Sequence, residues 1–515
     1  MEHRGKDTAG AVFDALADGR WGGALDLVEA AMPELLDRDP ALVRTVADAV
    51  PVVELRRRPW WFGLRQYVVH LLTEPAKPPV FPDVDPRVPD HLGAVDRIVI
   101  LTGRAAALRT RGRFADAASL ADDAHDALHR LDGGERARLR PVVAMLLTQW
   151  GTTFAAAALV DHAVVVLEEA HSAAEATGSA RAARESAGEL AWIHAVTGSG
   201  KEADRWIERA GSLRARHPGV QFIRGGLALA RAYRAGDRLD IPEALRLLDH
   251  EGDPFEELSL LAASLGAVLG ARSAAADPLA MHSRIEVAVA STPGPRALSG
   301  LNAAALAVAR STLHAFQGLY EAALLDLERC PPLPRPAGGM IRSRAGVARL
   351  GLGDPHGALA EVAKEAANPA PRVRTEALIV RAAALLRIGN EPSAVTAFRE
   401  ALAVSSENRL GGALALVPAA DLGALAAACG TPAPIDLASL QRLATPAAAY
   451  GYERLSPQQL AVLRAIAERE HIADAAVLLG LSPNTLKTHL RAAYRRLGAV
   501  DRSGALDEAH RRALL

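Results

Sequence analysis

The sequence predicts an all-α protein: a helical-repeat solenoid followed by a small, separate helical domain at the C-terminal end. Three observations predict it. Ala, Leu, Arg and Glu recur at helical spacing almost throughout, while strand-favouring residues rarely alternate. A glycine followed five residues later by alanine recurs along the chain. The composition then changes abruptly after a proline-rich stretch near residue 430.

The first element is the bulk composition. At 515 residues the chain has room for more than one domain. Half of it is apolar but only 4% is aromatic, too hydrophobic a balance for a disordered chain. Lys and Arg number 59 against 60 Asp and Glu, for a net charge of −1, so no single-sign field covers the molecule and any nucleic-acid contact must come from a local patch. Two cysteines, Cys330 and Cys429, cannot form a disulfide framework in a chain of this size, which points to a reducing, cytoplasmic location. The N-terminal residues are charged with both signs and lack the apolar segment of a signal peptide. The longest uncharged run, Pro141 to Val160, is diluted by Thr148, Gln149, Gly151, Thr152 and Thr153, and reads as a boundary between packed helices rather than a membrane span.

The second element is the repeat. The Gly/Ala pairs are Gly19/Ala24, Gly112/Ala117, Gly198/Ala203, Gly318/Ala323, Gly353/Ala358 and Gly389/Ala394. Ala158/Ala163 keeps the spacing with alanine in the first place, and Gly236 followed by Ala244 reads as the same pattern with a longer turn. Packing explains the spacing: glycine ends one helix in a left-handed turn, and alanine lies where the next helix crosses its neighbour closely. Segments such as Ala315–Leu324 and Leu386–Leu402 resemble tetratricopeptide repeats, whose period is about 34 residues. An irregular helical bundle would share the class but not the shape. Proline-rich breaks between Pro51 and His91 and across 430–453 mark irregular joints, which divides the chain into a repeat region (1–429), a linker (430–453) and a terminal domain (454–515).

The third element is that domain. Ser456, Pro457 and Gln459 form a helix-start signal, with Ser as N-cap, Pro at the first helical position and Gln able to close a capping box. A helix to about Glu468, a second to Leu479, a turn at Gly480 and a third helix from Asn484 to Leu497 follow: a helix-turn-helix arrangement. On a helical wheel Leu486, Leu490, Ala493 and Leu497 share one side, while Asn484, Lys487, Thr488, Arg491 and Arg495 share another. The second face offers the cations and hydrogen-bonding groups that a reader of the DNA major groove needs. From Ser482 to Arg502 there are five basic residues and one acid. A solvated basic face on an ordinary surface helix is the plain alternative.

The run Leu479-Gly-Leu-Ser-Pro-Asn-Thr-Leu-Lys-Thr-His-Leu, with Tyr494-Arg-Arg-Leu-Gly and Asp501-Arg-Ser-Gly-Ala-Leu, closely resembles the LuxR-type (GerE-like) DNA-binding domain. The resemblance covers about an eighth of the chain. It implies base-edge contacts from Lys487, Thr488 and Arg491, backbone contacts from Ser482, Thr485 and Arg495, and a homodimer formed with help from the helix after Ser503. His489 lies off the basic face. The chain departs from the family at Gln459 (usually acidic), Ala475-Ala476 (commonly Ile-Ala), His471 (a poorer cap) and Gly504 (often Glu). Helical repeats ahead of such a domain resemble MalT-like regulators, but their nucleotide-binding module is missing. Gly198-Ser-Gly-Lys-Glu has Ala195 where the first phosphate-loop glycine belongs and Glu202 in place of the magnesium-binding hydroxyl, so it reads as a repeat turn.

Other chemistry is sparse. His125 and His129, four apart on one helical segment with Asp122, Asp123 and Asp126, can in principle hold a metal but read as a solvated face. Cys330 has no activating partner, and Trp60 and Trp61 read as packing residues. No catalytic motif is present, and neither metal nor cofactor is expected. The sequence therefore describes a cytoplasmic regulator of transcription that binds double-stranded DNA, its repeats sensing an unknown ligand or protein. The competing reading is a protein-protein scaffold whose terminal domain does not read DNA.

Overall fold

The structure is a computed structural model that describes residues 2–55, 57–58, 61, 93–216, 226–250, 256–273, 277–292, 294–430, 440, 455–469, 471–497, 499 and 501–511. Among these residues the chain forms 29 α-helices and no strand. Helical hairpins succeed one another, for example Ala94–Thr110 with Phe114–His129, Val143–Ala156 with Val160–Thr177, Ala180–Thr197 with Gly200–Arg216, and Pro371–Arg387 with Glu391–Asn408. Each packs on the next in a solenoid-like array.

The turns explain the five-residue spacing. All six predicted glycines have positive φ, from 68° at Gly19 to 86° at Gly198. The N–H of the following residue reaches back five positions, as in Arg113 to the Leu108 carbonyl and Asn390 to the Leu385 carbonyl, which closes the helix end. That same residue then opens the next helix: its carbonyl accepts from the alanine N–H four positions on, as in Ala117 to Arg113 and Ala394 to Asn390. The alanine thus closes the first turn of the second helix, and all six are at most 1% exposed. Ala158 (φ 64°) and Ala163 follow the same geometry.

One turn differs from the sequence reading. Gly236 lies inside the helix Leu227–Asp237, and Leu239, at φ 66°, takes the left-handed place. The five-residue interval to the buried Ala244 is therefore kept, and there is no longer turn. Gly236 is instead a packing glycine, since a Cβ there would stand 2.7 Å from the Leu269 side chain.

The uncharged run Pro141–Val160 becomes the helix Val143–Ala156 and a turn, with Trp150 and Phe154 buried. No helix among the described residues is long and apolar enough to cross a membrane. Trp61 is fully buried and its indole N–H donates to Glu29 Oε1 at 2.9 Å, in keeping with a packing role; Trp60 lies outside the described residues. Burial raises the Cys330 thiol to about 11, so it stays protonated at neutral pH. Gly430 caps the helix Ala419–Cys429, and Leu440 is buried against the core of the last hairpins. The rest of the expected linker lies outside the described residues.

The array also folds back on itself. A Cβ on Gly112 would meet the backbone of Arg296 at 2.3 Å, one on Gly198 the backbone of Arg372 at 2.5 Å, and one on Gly412 the carbonyl of Gly236 at 2.7 Å. Turns of the earlier hairpins thus abut helix starts of the later ones. A buried charge network joins them. The Arg372 guanidinium donates to the carbonyls of Ala195 and Val196 at 2.8 and 2.9 Å, and to both oxygens of Asp237 at 2.8 and 2.9 Å. The carbonyls belong to the last turn of the helix Ala180–Thr197, the end that a cation suits. Arg234, 1% exposed, binds Asp204 at 2.9 and 3.0 Å and Asp237 at 3.2 Å.

Glu189 carries a consequence for pH. It is 5% exposed, accepts from the Trp192 indole at 2.8 Å, and is raised to about 7 by burial. Its folded form therefore holds a proton that the unfolded chain releases near the ordinary carboxylate value. Stability from this group is full at acidic pH and falls as pH rises towards and through about 7. Glu189→Gln is expected to raise the melting temperature at pH 8, with little effect at pH 5. Equal shifts at both pH values in paired thermal melts would contradict this.

Candidate nucleic-acid interface

Four helices make the terminal domain: Pro457–Glu468, Ile472–Leu478, Pro483–Leu497 and Arg502–Arg511. Ser456 caps the first through a complete capping box: its hydroxyl accepts from the Gln459 N–H at 3.2 Å, and Gln459 Oε1 accepts from the Ser456 N–H at 2.8 Å. His471 starts the second helix without a side-chain cap, as a residue with no well-placed acceptor should. Gly480, at φ 63°, makes the tight turn. Val462, Leu463, Ile466, Ala475 and Ala476 form the core with the apolar side of the third helix.

The third helix divides as the wheel predicts. Leu486, Leu490, Ala493 and Leu497 are at most 4% exposed. Lys487, Thr488, Arg491 and Arg495 are all exposed, as are Ser482, Asn484 and Thr485. His489 is half-buried, in keeping with its place off the basic face. Among the described residues Lys487, Arg491 and Arg495 form no ion pair. From Lys487 to Arg495 the helix axis advances about 12 Å at ~1.5 Å per residue, comparable to the width of a B-DNA major groove.

Hydroxyl directions refine the picture. Ser482 Oγ accepts from the Thr485 N–H at 3.1 Å and lies 2.8 Å from Thr485 Oγ1, so Ser482 also caps the helix and Thr485 holds its hydroxyl. Thr488 Oγ1 donates to the Asn484 carbonyl at 3.0 Å, which turns its lone pairs outward as acceptors.

Residues 453–509 match the model of the luxR family of bacterial regulatory proteins. No curated protein matches the chain. The match covers the C-terminal end alone and spans the four helices just described, up to Ala509 of the last.

Within it, two of the five basic residues between Ser482 and Arg502 serve the fold. Arg496 Nη1 donates to Gln459 Oε1 at 2.7 Å, joining the third helix to the first capping box. Arg502 Nη2 donates to the carbonyls of Ile466 and Arg469 at 2.5 and 2.6 Å, closing the end of the first helix. The count of basic residues alone overstates the outward charge. The wheel supplies the missing signal for Arg496, which lies off the Lys487–Arg491–Arg495 face. At the Gln459 departure the side-chain amide oxygen accepts from both a main-chain N–H and a guanidinium.

Proposed function

We propose that the chain is a sequence-specific DNA-binding regulator of transcription, with the luxR-type domain as its reader. The observation that carries the reading is the exposed trio Lys487, Arg491 and Arg495 on the side of the third helix opposite its buried leucines. In this reading Lys487, Thr488 and Arg491 meet base edges, while Ser482, Thr485 and Arg495 hold the phosphate backbone. The protein acts as a homodimer on two half-sites, in the cytoplasm. The helical array, read as tetratricopeptide-like and similar in arrangement to MalT-like regulators, senses a ligand or a protein partner and does no chemistry.

Selection from random DNA with the full-length protein tests the proposal, and an enriched motif is the expected outcome. Arg491→Ala or Lys487→Ala should then cost about 1–3 kcal/mol at one base position. Arg495→Ala should weaken binding to all sequences and flatten its salt dependence. Failure to enrich any motif, or specific affinity untouched by all three changes, would leave the scaffold reading in its place.

A further inference from the structure

We propose that His125, His129 and Glu169 form a binding site for a divalent cation of the zinc class. The sequence reading of this segment as a solvated face holds for Asp122, Asp123 and Asp126, which are exposed. It does not hold for His125, whose side chain is only 12% exposed and turned towards Glu169 on the helix Val160–Thr177. His125 Nε2 lies 2.9 Å from Glu169 Oε2 and 3.1 Å from His129 Nε2, and His129 Nε2 lies 3.9 Å from Glu169 Oε2. These three separations bracket the roughly 3.3–3.4 Å edge of a tetrahedron whose centre is ~2.0–2.1 Å from each ligand atom.

Proton accounting favours a cation as well. His125 Nε2 faces both a carboxylate oxygen and a second imidazole nitrogen. A single N–H points well at only one of them, and two N–H groups cannot face each other at 3.1 Å. A cation satisfies all three atoms at once, with each imidazole neutral and the carboxylate ionised. Two imidazoles and one carboxylate form a set that zinc accepts, with a fourth position left for water. The inner side of the site is aromatic: the His125 ring lies 5.7 Å from that of Trp150, whose indole N–H donates to Thr102 Oγ1 at 2.8 Å. The outer side is open, since His129 is 56% exposed. A bound ion would clasp the second helices of two successive hairpins, Phe114–His129 and Val160–Thr177.

The inference rests on the array alone and stands or falls apart from DNA binding. Its test is titration of the chelator-treated full-length protein with Zn2+ by calorimetry and with Co2+ by visible absorption, alongside thermal melts. Stoichiometric binding, tetrahedral Co2+ bands and a raised melting temperature are expected. Glu169→Gln and His129→Ala, the latter at an exposed position where folding is not at stake, should each weaken binding by about tenfold or more. His356→Ala, at an exposed histidine elsewhere, should leave it unchanged. Absence of binding, or Zn2+ affinity equal in the wild type and in both variants, would overturn the site and leave a hydrogen-bonded triad.

Discussion

Asp237→Ala is expected to destabilise the helical array by about 3–5 kcal/mol, the cost typical of removing one partner from a buried ion pair. Asp237 is 3% exposed and accepts from two guanidinium groups, those of Arg372 and Arg234. Its loss leaves Arg372 buried with the Ala195 and Val196 carbonyls, the face of Tyr233 and the more distant charge of Glu376, which together offset desolvation of a full charge less well than a paired carboxylate does. The paired change Asp237→Leu with Arg372→Met removes both charges and is expected to recover much of the loss, because the attraction within a buried pair barely exceeds the desolvation of its members. Urea unfolding of the three proteins checks both statements. A loss below about 1 kcal/mol for Asp237→Ala would mean that the pair is solvated.

The second large effect separates two glycines that look alike in sequence. Gly198 and Gly389 both have left-handed backbones, at φ 86° and 83°. Around Gly389 a Cβ would meet nothing within 4 Å, so Gly389→Ala should cost only the conformational penalty of about 1–2 kcal/mol. At Gly198 the added carbon would stand 2.5 Å from the Arg372 nitrogen and 2.9 Å from its Cα. Backbone cannot rotate away as a side chain can, so the start of Pro371–Arg387 must move and take the Arg372 hydrogen bonds with it. Gly198→Ala should therefore cost about 3–5 kcal/mol, strain and overpacking together. Equal losses for the two variants in the same unfolding measurement would refute the close approach.

Local features were legible in the sequence, because residues a few positions apart determine them. The Gly/Ala turns, the capping box at Ser456 and the two faces of Pro483–Leu497 all arise within single helices or turns. Leu239 escaped because a branched side chain seldom takes the left-handed region, and the nearby Gly236 drew the turn to itself. Glu169 escaped for another reason: it stands 44 positions from His125, and no periodicity links the two. The Arg372–Asp237 pair spans 135 positions. Such partners are chosen by how the hairpins stack, and that is a property of the whole path of the chain. The inward turn of Arg502 belongs with them, since its acceptors lie at the far end of another helix.

An open solenoid behaves as a one-dimensional chain of units, each coupled only to its neighbours, and it can fray from either end. The fold-back at Arg372 gives this array a different topology, because a hairpin late in the row grips the helix Ala180–Thr197 directly. Fraying as far as that hairpin therefore removes a cap from a unit near the middle. The units across residues 180–408 are thus expected to melt together, and deletion of the hairpin 371–408 is expected to loosen a distant hairpin instead of merely shortening the row.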